Sequence, residues 1–185
     1  MTRVRRSTWI GVGLLVFLAR SAEARPQVTS GVTTGAAFTD LRAANGPRLA
    51  YHLGARLDLL FGREGPRDLA VGPYVEILTA AFDTLETGGG AAWLVPTGAT
   101  AVVFSGGAFA RKSRFGFEPG AAATICWGAR GYNYHSTYAV GAGLFAQGRY
   151  GLGGDGRQAE AVVGVQIDLE YVVLPFVFVY QALTR

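Results

Sequence analysis

His135 and Ser136, within Asn133-Tyr134-His135-Ser136, place an imidazole next to a hydroxyl. That pairing activates a serine nucleophile when an acid orients the base. Adjacent positions on a strand point to opposite faces, so the two converge only through turn geometry. No carboxylate lies close in sequence. His135 and Ser136 are thus the candidate catalytic residues, and a polar turn is the plainer reading; the chain is not expected to be an enzyme. His52 stands alone and reads as an interior hydrogen-bonding group. Two histidines and one cysteine, Cys126, are too few for a metal site. No metal and no cofactor is expected. Gly88-Gly89-Gly90 and Gly153-Gly154-Asp155-Gly156 lack the strand–glycine–helix context of a phosphate loop. Asp58, Glu76, Asp168 and Glu170 include enough carboxylates for an acid/base pair, but pairing with arginines is the simpler account.

The stretch that organises these residues runs from Arg48 to Phe61. Its odd positions, Leu49, Tyr51, Leu53, Ala55, Leu57, Leu59 and Phe61, are all apolar. Its even positions carry Arg48, His52, Arg56 and Asp58 among small residues. A period of 2 sustained this long is a strand signal. The strand exceeds the ~5–6 residues usual in globular sheets and reaches the about 9–11 that cross a bilayer at a tilt.

Seven further segments read as strands: Val28–Phe38, Leu69–Asp83, a short Ala91–Pro96, Ala101–Arg111, Gly120–Tyr132, Thr137–Gly151 and Ala159–Val173. Turns are expected at Asp40–Pro47, Gly62–Asp68, Thr84–Gly90, Thr97–Thr100, Lys112–Pro119, Asn133–Ser136 and Leu152–Gln158. No helix separates the strands, so an antiparallel up-and-down meander is the natural topology. The tail Leu174–Arg185 is apolar on both strand faces; it reads as an extra strand or as a short segment packed in the barrel mouth.

The chain opens with Arg3, Arg5 and Arg6, an apolar run Trp9–Ala19 and Ala22-Glu23-Ala24. A basic region, a short apolar core and an A-x-A site make a Sec-type secretory signal peptide, residues 1–24. The apolar run is well short of the ~20 residues a spanning helix needs. Residues 25–185 then form a single β-barrel domain. The whole chain carries 17 basic and 13 acidic residues. Four of those arginines (Arg3, Arg5, Arg6, Arg20) and Glu23 belong to the signal, leaving 13 basic and 12 acidic. Near-neutrality excludes a charge argument for nucleic-acid binding. One cysteine excludes an internal disulfide. Half the residues are hydrophobic and 27 are glycine, which suits crowded barrel walls.

Two barrels fit such strands. A soluble, lipocalin-like barrel turns its apolar face inward; an outer-membrane barrel turns it to lipid and lines its lumen with charge. The polar faces carry Arg56, Asp58, Glu76, Arg130, Arg149, Asp168 and Glu170, a nearly balanced set, with Arg111 on a weakly alternating strand. The lipid-facing set is Leu49, Tyr51, Leu53, Leu57, Leu59, Val163, Val165, Ile167 and Leu169. An arginine turned to lipid at the midplane costs about 2–4 kcal/mol. Three such residues would cost on the order of 10 kcal/mol, comparable with the whole net stability of a domain. The second barrel is therefore expected.

On these alternating strands the chain resembles the small eight-stranded outer-membrane β-barrels of Gram-negative bacteria. The resemblance covers the second to the eighth strand and implies an all-β, antiparallel, up-and-down eight-stranded transmembrane barrel in the bacterial outer membrane. Its partner would be outer-membrane lipid, its interior filled and polar, its role structural or interactive. Some barrels of this class modify lipid A with Ser, His and an acid, so a lipid A-modifying enzyme is the alternative for His135 and Ser136. A soluble periplasmic carrier of an apolar ligand is the third reading. With the first residue of the mature chain periplasmic, outer loops of 8, 7, 8 and 7 residues and inner turns of 7, 4 and 4 are expected.

Overall fold

A computed structural model of the chain describes residues 26–43, 45–113, 116–135, 137–153 and 159–184. The proposed signal peptide, 1–24, and Ser136 lie outside the described residues. Eight strands follow in order: β1 (Gln27–Thr39), β2 (Arg48–Leu60), β3 (Ala70–Ala80), β4 (Leu85–Pro96), β5 (Ala101–Ser113), β6 (Gly116–Arg130), β7 (Gly141–Gly151) and β8 (Ala159–Asp168). Each pairs antiparallel with its chain neighbours, and β8 pairs with β1, so the sheet closes into an up-and-down barrel. A helix, α1 (Leu169–Thr184), follows β8.

The period-2 patterns translate directly into two faces. On β2, His52, Arg56, Asp58 and Leu60 are buried, whereas Leu49, Tyr51 and Leu57 are exposed. The same parity holds on β3, where Tyr74 is 2% exposed and Val75 56%. On β7, Arg149 is 3% exposed and Leu144 57%. The interior also holds an apolar fraction, including Leu60, Tyr74, Leu94, Val103, Phe145 and Val162, and alanines fill the remaining inward positions.

Two stretches expected as loops belong mostly to strands. Thr84–Gly90 is not a loop: β4 begins at Leu85 and runs through the glycine triplet. The chain turns earlier, where Ala81 and Phe82 adopt positive φ of 53° and 60°. The Thr84 hydroxyl closes this turn on both polar groups of Ala80. Ala-Phe is not a turn sequence, since left-handed backbone normally calls for Gly or Asn, so the glycines that begin six residues after Phe82 drew the reading. Likewise Lys112–Pro119 is mostly strand, with β5 and β6 joined through residues 114–115. The expected asymmetry of loops is therefore reversed, the longer connections lying at the end that bears the chain termini of the barrel. One end carries connections 40–47, 81–84, 114–115 and 152–158; the end bearing β1's start and β8's finish carries 61–69, 97–100 and 131–140.

The third difference concerns the seam. β8 ends at Asp168 rather than Val173, opposite Gly31, while β1 continues to Gln27. Over that stretch residues 137–139, expected in the seventh strand, run parallel to β1 instead. Val28 N–H donates to Thr137 O at 2.7 Å, and Ala139 N–H to Val28 O at 2.8 Å. The segment from Leu169 is neither strand nor plug. The Asp168 carboxylate accepts the Glu170 N–H at 3.0 Å, an N-cap bond that starts α1. β1 already has both its neighbours, so no sheet edge is left for the tail to extend.

Tight curvature uses glycine pairs placed directly opposite one another: Gly35 with Gly164, Gly90 with Gly107, and Gly128 with Gly143. A Cβ on Gly164 would lie 2.1 Å from Thr34 O, and one on Gly35 2.1 Å from Val163 O. Gly148, by contrast, has nothing within 4 Å of such a Cβ. Gly164→Ala is expected to destabilise the barrel by roughly 1–3 kcal/mol, as overpacking does, and Gly148→Ala to leave it almost unchanged. Chemical unfolding followed by tryptophan fluorescence measures both; equal midpoints would contradict the close approach.

Candidate functional site

The inward faces of β2 to β8 assemble one continuous ladder of alternating charge. Arg56 donates from Nε and Nη2 to Asp58 Oδ1 at 2.9 and 2.8 Å, and from Nη1 to Ser105 Oγ at 3.0 Å. Arg130 Nη1 lies 3.8 Å from the other Asp58 oxygen. Arg56 Nη1 is 3.9 Å from Glu76, whose Oε1 takes Arg149 Nη2 at 2.7 Å. Arg149 Nη1 stands 2.6 Å from Glu86 Oε1. Arg111 then bonds Glu86 through Nε and Glu160 through Nη2, both at 2.8 Å, with Glu118 at 3.5 Å from Nη1.

The order is thus Arg130, Asp58, Arg56, Glu76, Arg149, Glu86, Arg111, then Glu160 and Glu118. Each arginine beyond the first sits between carboxylates, and Asp58, Glu76 and Glu86 each sit between arginines. That alternation lets buried charge persist, because an ion removed from water must recover its solvation from partners. Aromatic rings wall the ladder. Tyr74 lies under the Arg56 guanidinium at 4.1 Å, and Phe109 packs against Arg111 and Arg149 at 5.0 and 5.4 Å. Gln147 adds an amide donor to Glu76.

Asp168 closes the seam from inside. It accepts the Tyr138 hydroxyl, the Gly141 N–H at 3.3 Å and the Glu170 N–H. At the terminal end Arg63, in the β2–β3 connection, is 2% exposed. It donates to Gln27 Oε1 and to the carbonyls of Gly131 and Pro66, and lies over Tyr132 at 5.3 Å. Burial pulls its pKa below the ordinary arginine value, although an arginine stays charged throughout the physiological range.

Little space remains inside. The cavity beside His52, lined also by Thr124, Gln147 and Gln166, measures about 10 Å³. That is room for about one water molecule. A second, of about 30 Å³, lies at the mouth among Asp40, Arg48, Ser113 and Glu160. A groove of about 320 Å³ lies on the outer surface, lined by Val32, Ala55, Leu57, Val75, Ile77 and Leu169. Among the described residues no group of three His, Cys, Asp or Glu could hold a metal ion.

The sequence-selected residues divide as follows. Arg56, Asp58, Arg149 and Asp168 are buried in the interior, and the Glu76 and Arg130 side chains are nearly so. Glu170 is a correction: it lies on α1, exposed, because the strand that would have turned it inward ends two residues earlier. Leu49, Tyr51, Leu57, Val163 and Ile167 are exposed on the outer face; Leu53, Leu59 and Val165 are half-buried there. Leu169 is exposed, at the start of α1 rather than on a strand. His135 is exposed in the β6–β7 connection, its N–H donating to Asn133 Oδ1 at 2.9 Å. His52 is buried, with Nε2 3.1 Å from Thr33 Oγ1.

Sequence reasoning missed Glu86, Glu118 and Glu160. Glu86 and Glu118 fell in stretches read as loops. Glu160 and the buried Arg111 had a signal in the alternation of their strands. Comparison with protein-family models, with curated proteins and with solved structures finds no match for this chain.

Arg149→Met would leave Glu76 and Glu86 short of a buried partner, at an expected cost of about 3–5 kcal/mol. Adding Glu86→Gln should recover part of it. A double-mutant cycle by chemical unfolding checks this coupling; strictly additive losses would contradict it.

Proposed function

We propose that this protein is a transmembrane β-barrel of the bacterial outer membrane, with a filled polar interior and a structural or interaction role rather than an enzymatic one. The observation that carries the reading is the inversion of the cylinder. Buried Arg56, Arg111 and Arg149 lie within, and Leu49, Tyr51, Trp93, Trp127 and Leu144 are at least half exposed without. In water that outer surface would be a far larger apolar patch than soluble proteins carry. Against acyl chains it is the expected surface. Strands of 10 to 15 residues are long enough to cross a bilayer at a tilt, which takes about 9–11.

Eight strands enclose a space that side chains can fill, and here the ion ladder fills it. A carrier of apolar ligands would need an apolar cavity where the ladder stands. With both ends of the barrel chain on the periplasmic side, the outward connections 40–47, 81–84, 114–115 and 152–158 are short for a large receptor or adhesin. His135 then faces the periplasm, away from the leaflet that holds lipid A.

The signal-bearing chain, expressed in a Gram-negative host, is expected in the outer-membrane fraction. It should require detergent for extraction and migrate faster on gels before boiling than after. Recovery from the soluble periplasm would overturn the proposal. Reconstituted in planar bilayers it is expected to pass no large, stable current; steady conductance would refute the filled interior.

A further inference from the structure

The feature left unused is α1. Its sixteen residues, Leu169–Thr184, contain one charge, Glu170; their other polar groups are Gln181, Thr184 and the hydroxyls of Tyr171 and Tyr180. A surface helix in water carries a polar face, and a helix apolar all round is buried in something. Here it is not buried by its own chain: Leu169, Tyr171, Phe176, Val179 and Leu183 are all exposed, Leu183 by 81%.

Where α1 leaves the barrel decides what surrounds it. β8 stops opposite Gly31, while β1 runs on to Gln27 with residues 137–139 alongside. The helix therefore begins where β8 ends, four residues short of the start of β1. Leu169 lines the same outer groove as Val32, Leu57, Val75 and Ile77, so the base of α1 adjoins the apolar outer face of the barrel. At about 1.5 Å per residue the helix is about 24 Å long, less than the ~30 Å hydrocarbon core. No helix among the described residues is long and apolar enough to cross a membrane.

We propose that α1 is a non-spanning helix embedded among lipid acyl chains, in the leaflet nearest the chain termini, and that acyl chains fill the groove at its base. The inference rests on the membrane reading of the barrel and extends it: the chain holds lipid with a strand wall and with a lateral arm. Asp168 joins the two, bonded inside to Tyr138 and Gly141 while capping α1.

The test uses the full chain in phosphatidylcholine/phosphatidylglycerol vesicles. Cysteines are placed one at a time at Val179, on α1, and at Leu144, on the barrel's outer face, and labelled with an environment-sensitive fluorophore. Cys126 is buried, and the unaltered chain serves as the labelling blank. Loss of emission to acyl-chain nitroxides is expected to be as large at Val179 as at Leu144, with iodide in the buffer quenching neither. Quenching of Val179 by iodide while Leu144 answers to the nitroxide would overturn the embedded helix and leave the barrel reading intact. A Val179 label shielded from both quenchers, with disulfides forming between unlabelled Val179→Cys copies, would assign the helix to a second copy instead. A Leu144 label open to iodide would overturn the membrane reading and this inference with it. Phe176→Cys gives the same readings should Val179→Cys fold poorly.

Discussion

Arginine inside a narrow cylinder is the constraint on which the rest of this structure depends. Guanidinium groups cannot lose their charge, so the fold must supply counter-charge wherever it encloses one. Five strands contribute it: Asp58 from β2, Glu76 from β3, Glu86 from β4, Glu118 from β6 and Glu160 from β8 reach Arg56, Arg111, Arg130 and Arg149. Because each inner member has partners on both sides, shifting one strand by a single residue would expose its charge outside and strand its neighbours' charge inside. A one-residue slip reverses every side chain on a strand. The ladder therefore specifies register as well as filling space.

The wall is built to accommodate that ladder. Large charged side chains fit inside eight strands because many other inward positions are small, among them Ala37, Ala80, Ala92, Ala101 and Ala122. Opposed glycines let neighbouring strands approach more closely than any Cβ permits. Glycine costs backbone entropy, and in this barrel curvature and interior volume offset it.

The seam departs most from a regular barrel. Closing eight strands requires β8 to meet β1, yet β8 covers only the part from Phe38 to Gly31. Tyr138 and its neighbours complete the pairing from a connection, and Asp168 ties that connection to the last strand. The same carboxylate accepts the Glu170 N–H in the first turn of α1, so one buried residue ends a strand, seals the seam and starts a helix.

Much of this was legible in the residues themselves. Alternation from Arg48 to Leu60 and from Ala159 to Asp168 determined which side chains share a face, because a strand's period of 2 is a property of the backbone. The imbalance between greasy odd positions and charged even ones determined that the two faces meet different surroundings. The glycine triplet 88–90 and the Ala81–Phe82 turn were not legible, since glycine reads as a turn until a neighbouring strand shows why a Cβ is forbidden. The helical tail was hidden for a related reason: Leu169 and Glu170 continue the strand's alternation, and only the absence of a free sheet edge forces them out of it. Pairing partners such as Arg149 with Glu86, on strands three apart, exist only once the cylinder closes. Sequence determined the two faces, and tertiary structure decided which was inside and who paired with whom, because closure brings distant strands across a lumen too narrow for unpaired charge.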